Sequence, residues 1–393
     1  MKNWIVGILL SVLSVVGIAS SEAVMKIVGG QGACDTTNTG CIPIPLTVTM
    51  LCDGSGTVLN CPQLFAPDRT DSTGQTFYGI NNGYAPRRCV KSVNGGSTWA
   101  QCSSHPFASI STGPVYFSVT SLGALVAAGR TATNFCEIKR SIDGGISWSL
   151  VFSSAVGAVA CNNLASNVVG GSLLKCTTGN YCVLHAVSIF SAELITPIVS
   201  TDNGETWTAQ SQLTTGMVDA PIRNMTINDS TGIAVGLMRA TSRNIIGLGA
   251  WSVSAVWGTL PANEYCTGII MSAIGVLCTP DPANDTVYTF RGSGGGLIAS
   301  FTMLNAPIAS GGTITGLGIS SNVGYVIGIR VPGVTSYNIW VTTNAFGNTV
   351  VLKTITPATY FTGCCTGDML YYNGKIYITS GGEGGAAQFI SIS

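Results

Sequence analysis

Three eight-residue stretches in the first half of this chain share one pattern. Ser92-Val-Asn94-Gly-Gly96-Ser-Thr98-Trp99, Ser141-Ile-Asp143-Gly-Gly145-Ile-Ser147-Trp148 and Ser200-Thr-Asp202-Asn-Gly204-Glu-Thr206-Trp207 all read S-x-[DN]-x-G-x-[ST]-W. A degenerate fourth, Thr342-Thr-Asn344-Ala-Phe-Gly347-Asn-Thr-Val350, carries one extra residue and no Trp. Each copy demands a tight turn between two strands. Asp or Asn in the third place can accept from backbone N–H groups two residues on. Gly in the fifth place takes up a backbone conformation that a Cβ disfavours. Ser in the first place adds a hydroxyl bond across the turn. Trp in the last place opens the outgoing strand and offers a large apolar ring. One Asn-Gly or Asp-Gly turn is weak evidence, because such turns are common. Three in register are not.

The spacing adds to the motif. The tryptophans at 99, 148 and 207 are 49 and 59 residues apart. A period near 50 residues with short strands between turns is the signature of propeller blades, four-stranded sheets repeated around an axis. The units resemble the Asp-box, or bacterial neuraminidase repeat, of the sialidase-like β-propellers. In that family the box occupies the turn between the third and fourth strands of a blade, on the periphery and away from the ligand face. The resemblance therefore implies a structural role for Ser92, Asn94, Gly96 and Trp99, for Ser141, Asp143, Gly145 and Trp148, and for Ser200, Asp202, Gly204 and Trp207. The three good boxes cover only the first half of the chain, so the rest of the fold is read from period.

Residues 1–23 read as a secretory signal: Lys2, an apolar run from Trp4 to Ile18, and Ser21-Glu22-Ala23 as a small-x-small cleavage site. The run is short for a membrane span, and an uncleaved anchor is the alternative. No later segment has the length and apolarity of a transmembrane helix. The 14 cysteines read as disulfides in an exported chain. Their order suggests Cys34 with Cys41, Cys52 with Cys61, Cys89 with Cys102, Cys136 with Cys161, Cys176 with Cys182 and Cys266 with Cys278. Cys89 and Cys102 flank the first box and would staple its hairpin. Cys364 and Cys365 read as half-cystines with separate partners rather than a vicinal pair.

Strand-like runs recur from residue 24 onward, among them 45–51, Val115 to Val119, Gly232 to Met238, Tyr325 to Ile329 and 374–379, and none reads as an amphipathic helix. Further turns fall at Trp251, behind Ser242-Arg-Asn244, and at Arg291-Gly-Ser-Gly-Gly-Gly296. After the degenerate box, Asp368 to Ser393 holds two or three strands, and strands near Met25 to Leu51 could complete that last sheet. The expected fold is all-β: one disulfide-stabilised propeller domain over 24–393, with four-stranded antiparallel blades, seven in number and six as the alternative.

Only 9% of residues are charged and the net charge is zero, against roughly a quarter charged in an average soluble domain. No basic stripe exists, which argues against a nucleic-acid partner. Such a surface suits glycosylation, sugar binding or packing into an extracellular assembly. Asn224, Asn228 and Asn284 head N-x-[ST] acceptor sequences.

The sharp chemical hypothesis follows from the resemblance. Sialidases hold a substrate carboxylate with three Arg, use a Tyr–Glu pair as nucleophile and base, and use an Asp as acid/base; their first Arg sits in an Arg-Ile-Pro motif. This chain has no Arg-Ile-Pro. Ala66-Pro-Asp68-Arg69 and Ala85-Pro-Arg87-Arg88 are the nearest approximations, and Arg130, Arg223, Arg239 and Arg243 could supply others. Of the carboxylates outside the boxes (Asp68, Asp71, Glu137, Glu193, Asp219, Glu264 and Asp368) none is selected by a motif, and Asp219 before Ala220-Pro-Ile-Arg223 is the weak choice. His105 and His185 have no metal-ligand spacing, so no metal and no cofactor are expected. The sequence therefore favours a non-catalytic module that recognises a glycan or an extracellular protein. A sialidase-type exo-glycosidase with diverged residues and a self-assembling structural subunit are the alternatives.

Overall fold

In the computed structural model, backbone is described for 48–52, 61–81, 88–107, 115–130, 136–154, 174–177, 179–187, 194–211 and 213–214, and then for the strands, with Asn373, to residue 392. Side chains are described chiefly between 49 and 211 and in the last sheet. The proposed signal, Cys34 and Cys41 lie outside these residues.

The described residues form twenty-nine strands and no helix. Four-residue to seven-residue runs rich in Val, Ile, Tyr and Phe, broken by Gly, Asn and Ser, produce this pattern because β-branched and aromatic side chains fit a pleated, half-buried surface. The first sheet is β2 (Leu64–Pro67), β3 (Phe77–Asn81), β4 (Arg88–Ser92) and β5 (Ala100–Gln101). The second is β6 (Tyr116–Val119), β7 (Leu125–Arg130), β8 (Cys136–Ser141) and β9 (Ser149–Ser153). The third is β10 (Leu174–Cys176), β11 (Cys182–Val187), β12 (Leu194–Ser200) and β13 (Thr208–Ala209), with β14 (Leu213–Thr214) also paired to β12. The next three are β15 (Ile222–Ile227) to β18 (Trp251–Ser254), β19 (Tyr265–Ile270) to β22 (Leu297–Thr302), and β23 (Thr313–Ile319) to β26 (Thr349–Ile355). In each, sequential strands are antiparallel neighbours.

The last sheet joins the two ends of the described chain. Its order is β27 (Thr366–Tyr372), β28 (Lys375–Ser380), β29 (Gln388–Ile392) and then β1 (Val48–Cys52). β1 runs antiparallel to β29, Val48 opposite Ile392 and Met50 opposite Ile390. The first strands of successive sheets lie against one another: β2 with β6, β6 with β10, β10 with β15, β15 with β19, β19 with β23, β23 with β27, and β27 with β2.

A continuous apolar core, including Tyr78, Phe107, Tyr116, Phe117, Leu184 and Trp207, runs through the first three sheets. An aromatic cluster joins the first sheet to the last. Phe389 meets Phe65 edge-on at 4.9 Å and Trp99 edge-on at 5.3 Å between ring centroids, and stacks on Tyr377 at 5.7 Å. These offset and T-shaped geometries are the favoured ones for aromatic pairs. Buried Thr379 reinforces the junction by donating its hydroxyl to the Gln63 carbonyl at 2.7 Å.

Cys52–Cys61, Cys89–Cys102 and Cys176–Cys182 are disulfide-bonded. Cys136 is bonded too, while Cys161, Cys364 and Cys365 lie outside the described residues. Cys266 and Cys278 are directly opposite in the β19–β20 (Gly275–Thr279) pairing. Disulfides of this kind persist in oxidising surroundings. Among the described residues no helix is long and apolar enough to cross a membrane.

One placement differs from the sequence reading. Arg243 and Asn244, placed in a turn by the sequence, instead begin β17 (Arg243–Ile246), and Trp251 opens β18. The hydrophobic run Ile245-Ile246 needs a strand partner, and that need overrides the turn tendency of Ser and Asn.

Candidate functional site

Each of the three repeats occupies the turn between the third and fourth strands of its sheet: β4 to β5, β8 to β9 and β12 to β13. In the second, the Ser141 hydroxyl donates to Asp143 Oδ1 at 2.7 Å and accepts from Gly145 N–H at 2.8 Å. Asp143 Oδ1 also accepts from the N–H groups of Ile146 and Ser147 at 3.0 and 2.9 Å. The acceptor therefore reaches three and four residues on, not two as the sequence reading has it. Two consecutive residues of this loop, Gly144 and Gly145, are left-handed (φ 69° and 87°). Asp202 repeats the scheme with Glu205 and Thr206 N–H, at 3.1 and 2.9 Å. Asn94 does so with Thr98 N–H at 2.9 Å. In the third turn a non-glycine, Asn203, takes φ 58°. Its cost is met by bonds from Asn203 N–H to the Asn180 carbonyl, from Asn203 Nδ2 to Asn180 Oδ1, and from the Ser121 hydroxyl to Asn203 Oδ1.

These bonds set the electrostatics. The Ser147 hydroxyl and N–H and the Ser141 hydroxyl hold the Asp143 carboxyl far below the usual carboxylate range. Burial pushes Asp202 up, but the Thr206 hydroxyl and N–H and the Ser200 hydroxyl outweigh it and leave the group low. Both are fixed anions whose lone pairs are already engaged, which suits turn stapling and not proton transfer.

Each fifth-place glycine presses on the sheet before it. A Cβ on Gly96 would run into the Phe389 ring of the last sheet, one on Gly145 would lie 2.8 Å from Cys102 Cβ in the first sheet, and one on Gly204 would lie 2.9 Å from Val126 Cγ2 in the second. Ser104 N–H donates to the Gly145 carbonyl at 2.9 Å and the Trp148 indole N–H donates to the Ser104 carbonyl. The turns thus join neighbouring sheets. Sequence reasoning assigned the glycines to backbone conformation alone and missed this contact, because the partners are remote in sequence.

The chemically suggestive residues are dispersed. Arg69 is exposed in the turn between β2 and β3. Its neighbours are Asp68, Asp71 and Tyr372; burial, followed by the Asp71 charge, raises the Tyr372 phenol. Asp68 accepts from the Thr70 N–H and hydroxyl. Asp71 accepts from the N–H groups of Thr73, Gln75 and Thr76. These two carboxylates are turn caps. Arg88 stands at the other end of the same sheet, opposite Asn81 at the far end of β3. Five strand residues of about 3.3 Å rise separate the two guanidinium-bearing positions. Arg69 and Arg88 therefore stand at opposite ends of β3, because one sits in the β2–β3 turn and the other begins β4. Arg87 and Asp219 lie outside the described residues, as do Asn228 and Asn284. Arg223 and Asn224 are on β15.

Beside Arg88, His105 Nδ1 accepts the Cys89 N–H at 3.2 Å. Burial and then the Arg88 charge lower the His105 pKa, so the neutral ring carries its proton on Nε2. Arg88 Nε is buried without a hydrogen-bond partner. Among the described residues no group of three or more His, Cys, Asp or Glu is placed to hold a metal ion.

The fold class is that of a β-propeller. The chain is similar to the WD40 β-propeller domain of Doa1, with TM-score 0.51 and 9% identity over 88% of this chain and 96% of that one. It is similar to the β-propeller domain of Myceliophteria thermophila Cps50 (Swd1), with TM-score 0.51 and 9% identity over 88% and 99%. Saccharomyces cerevisiae Sqt1 aligns with TM-score 0.52 and 10% identity over 82% and 80%. At these identities the likeness concerns fold alone. No protein-family profile matches the chain, and no curated protein sequence does.

Proposed function

We propose that this chain is an exported, sialidase-like β-propeller of seven blades that acts as a non-catalytic recognition module for a glycan or an extracellular protein. Seven sheets of like strand order and the succession of contacts through their first strands support a seven-bladed ring. The β1–β29 pairing supports closure by strands from both ends, an arrangement that leaves no free edge between blades. Placement of the repeats between third and fourth strands, with Ser, Asx and Gly in one hydrogen-bonded loop, supports the Asp-box reading. The disulfides support export behind a signal at 1–23.

The observation that carries the non-catalytic reading is the separation of Arg69 from Arg88. A carboxylate-holding arginine set needs its guanidinium groups on one point, and these two are at opposite ends of one sheet. The carboxylates Asp68, Asp71, Asp143 and Asp202 already serve as turn acceptors. The neutral, low-charge composition supports an uncharged or mildly polar partner over nucleic acid.

The test uses the secreted, oxidised chain in two assays: binding to an immobilised glycan array and hydrolysis of fluorogenic glycosides, sialoside included. Binding without turnover is the expected result. Turnover that is lost on substituting Arg88 or Arg223 would establish the glycosidase alternative and overturn this reading.

A further inference from the structure

Arg88 opens β4 half-buried, and its Nε is buried without a hydrogen-bond partner. A guanidinium N–H taken from water without an acceptor loses its solvation uncompensated. The described carboxylates do not meet that need. Asp68 and Asp71 belong to the turn at the other end of the sheet and accept there from Thr70, Thr73 and Thr76. Glu137, near the start of the third strand of the second sheet, pairs with Lys139 at 3.7 Å. Arg88 is thus a cation with no counter-charge among the described residues, in a chain where only 9% of residues are charged.

A second donor stands beside it. The Cys89 carbonyl accepts from Cys102 N–H at 2.9 Å, and the Cys89 N–H donates to His105 Nδ1 at 3.2 Å. His105 thereby takes the place that a longer β5 would fill, against the residue that follows Arg88. With Nδ1 engaged as acceptor, the neutral ring presents its Nε2–H, for which no partner stands among the described residues. Burial, and then the Arg88 charge, favour that neutral form. The pair is held in place from both sides. The Cys89–Cys102 disulfide fixes the strand, and Ser104, next to His105, donates its N–H to the Gly145 carbonyl at 2.9 Å. The sheets meet through their first strands, so β4, third in its sheet, sets this pair outward of them.

We propose that Arg88 and His105 bind the carboxylate of an acidic saccharide, the Arg88 fork taking its oxygens and His105 Nε2–H adding a further donor. A guanidinium fork matches a planar carboxylate, and one fixed positive charge calls for one negative charge. The neutral His105 adds a hydrogen bond without a second charge, which disfavours a dianion such as a phosphate monoester. Acidic and phosphorylated peptides are read by clusters of Arg, and here the next cation along β4, Lys91, lies over the Tyr78 ring at 5.0 Å instead. A single carboxylate on an otherwise uncharged sugar also suits a chain whose net charge is zero. This inference deepens the recognition reading and rests on it for the saccharide, though not for the anion.

The chain has two histidines, so the ring resonances of the oxidised, histidine-labelled protein report on the site directly, with His185 on β11 as internal control. At fixed ionic strength, and at a pH where the ring is neutral, sodium glucuronate should shift His105 saturably and leave His185 in place. Methyl glucoside should shift neither, and sodium acetate should shift His105 more weakly than glucuronate. Arg88→Gln should weaken glucuronate binding about ten-fold or more, through loss of a charged two-point contact. Arg69→Gln removes the same charge at the opposite end of the sheet and should leave binding unchanged. An unmoved His105 in the parent protein would overturn the inference without recourse to any variant. So would a shift that Arg88→Gln retains, one that Arg69→Gln weakens equally, or acetate binding as tight as glucuronate binding. Glucuronate binding with no hit on the glycan array would uphold the carboxylate site and remove the recognition reading. Array binding that Arg88→Gln leaves intact would do the reverse.

Discussion

Gly145 in the second sheet faces Cys102 in the first so closely that a Cβ on the glycine would stand 2.8 Å from Cys102 Cβ and 3.1 Å from Cys89 Sγ. The Cys89–Cys102 disulfide is thus both a staple for its own hairpin and the floor on which the next repeat turn rests. The glycine also holds φ 87°. Gly145→Ala should therefore destabilise the protein by about 1–3 kcal/mol, from backbone strain and crowding together. Gly144→Ala meets only the Tyr78 ring, its hydroxyl at 2.9 Å, rather than a disulfide and a backbone-anchored Cβ, and should cost less, although φ is 69° there. Denaturant unfolding of the oxidised variants checks the order. Replacing both Cys89 and Cys102 with Ala should shrink the Gly145→Ala penalty, a coupling that a double-mutant cycle reads directly.

Acid should act on two repeats and spare the third. Asp143 and Asp202 have carboxyls held low in the folded chain. A depressed carboxyl pKa contributes stability that is fully present above the unfolded value, near 3.8, and that is lost as pH falls through the lower folded value. Asn94 occupies the same place in the first repeat and does not titrate. Asp143→Asn keeps an oxygen for the Ile146 and Ser147 N–H groups, as Asn94 does for Thr98. It should lower the Tm slightly at neutral pH and flatten the acid limb of Tm against pH, whereas Asp143→Ala should lower Tm more at every pH.

His105 should give a separate, milder pH limb. Its folded pKa lies below the ordinary 6.5 because it is partly buried beside Arg88. The unfolded chain then binds a proton before the folded chain does, so this contribution is complete above about pH 6.5 and declines as pH falls below it. His105→Gln can still accept from the Cys89 N–H and cannot titrate. Tm measured from pH 7.5 to 5 should fall less in this variant than in the parent. An identical decline in both would remove His105 as its source.

What could be read beforehand was what is local. A Ser, an Asx and a Gly within eight residues make their bonds to one another, so the repeat turns were legible from Ser141, Asp143 and Gly145 alone, while their place between third and fourth strands was what the Asp-box resemblance implied. The contacts of Gly96 with Phe389 and of Gly145 with Cys102 were not, because sheet-to-sheet packing joins residues that no periodicity relates. The same limit applies to the suggested arginines. Arg69 and Arg88 are close in sequence and resemble a set, yet β3 runs between them. Asp68 and Asp71 looked available, but Thr70, Thr73 and Thr76 lie within five residues and claim them as turn acceptors. Hydroxyl and amide donors at such short spacing were a signal that could have marked both carboxylates as structural.

The buried tryptophans should rank by what they touch. Trp207 is buried, donates its indole N–H to the Gly204 carbonyl at 3.0 Å, and belongs to the core shared by the first three sheets. Trp207→Phe should cost about 1–2 kcal/mol, the lost hydrogen bond plus a reduced ring. Trp207→Ala should cost about 3–5 kcal/mol, as large core deletions do. Trp148 is only partly buried, and its indole reaches the Ser104 carbonyl at a longer 3.4 Å, so Trp148→Ala should cost clearly less. Trp99 packs edge-on against Phe389 where the last sheet meets the first. Trp99→Ala should therefore loosen the joint that holds β29, and protease should gain access to the terminal strands before the protein unfolds globally. Limited proteolysis followed by mass analysis distinguishes these cases. Trp99→Ala should release fragments cut near 381–387, whereas Trp207→Ala should lower global stability without that early cleavage. Equal early cleavage in both variants would mean that the terminal sheet is held by something other than the Phe389 cluster.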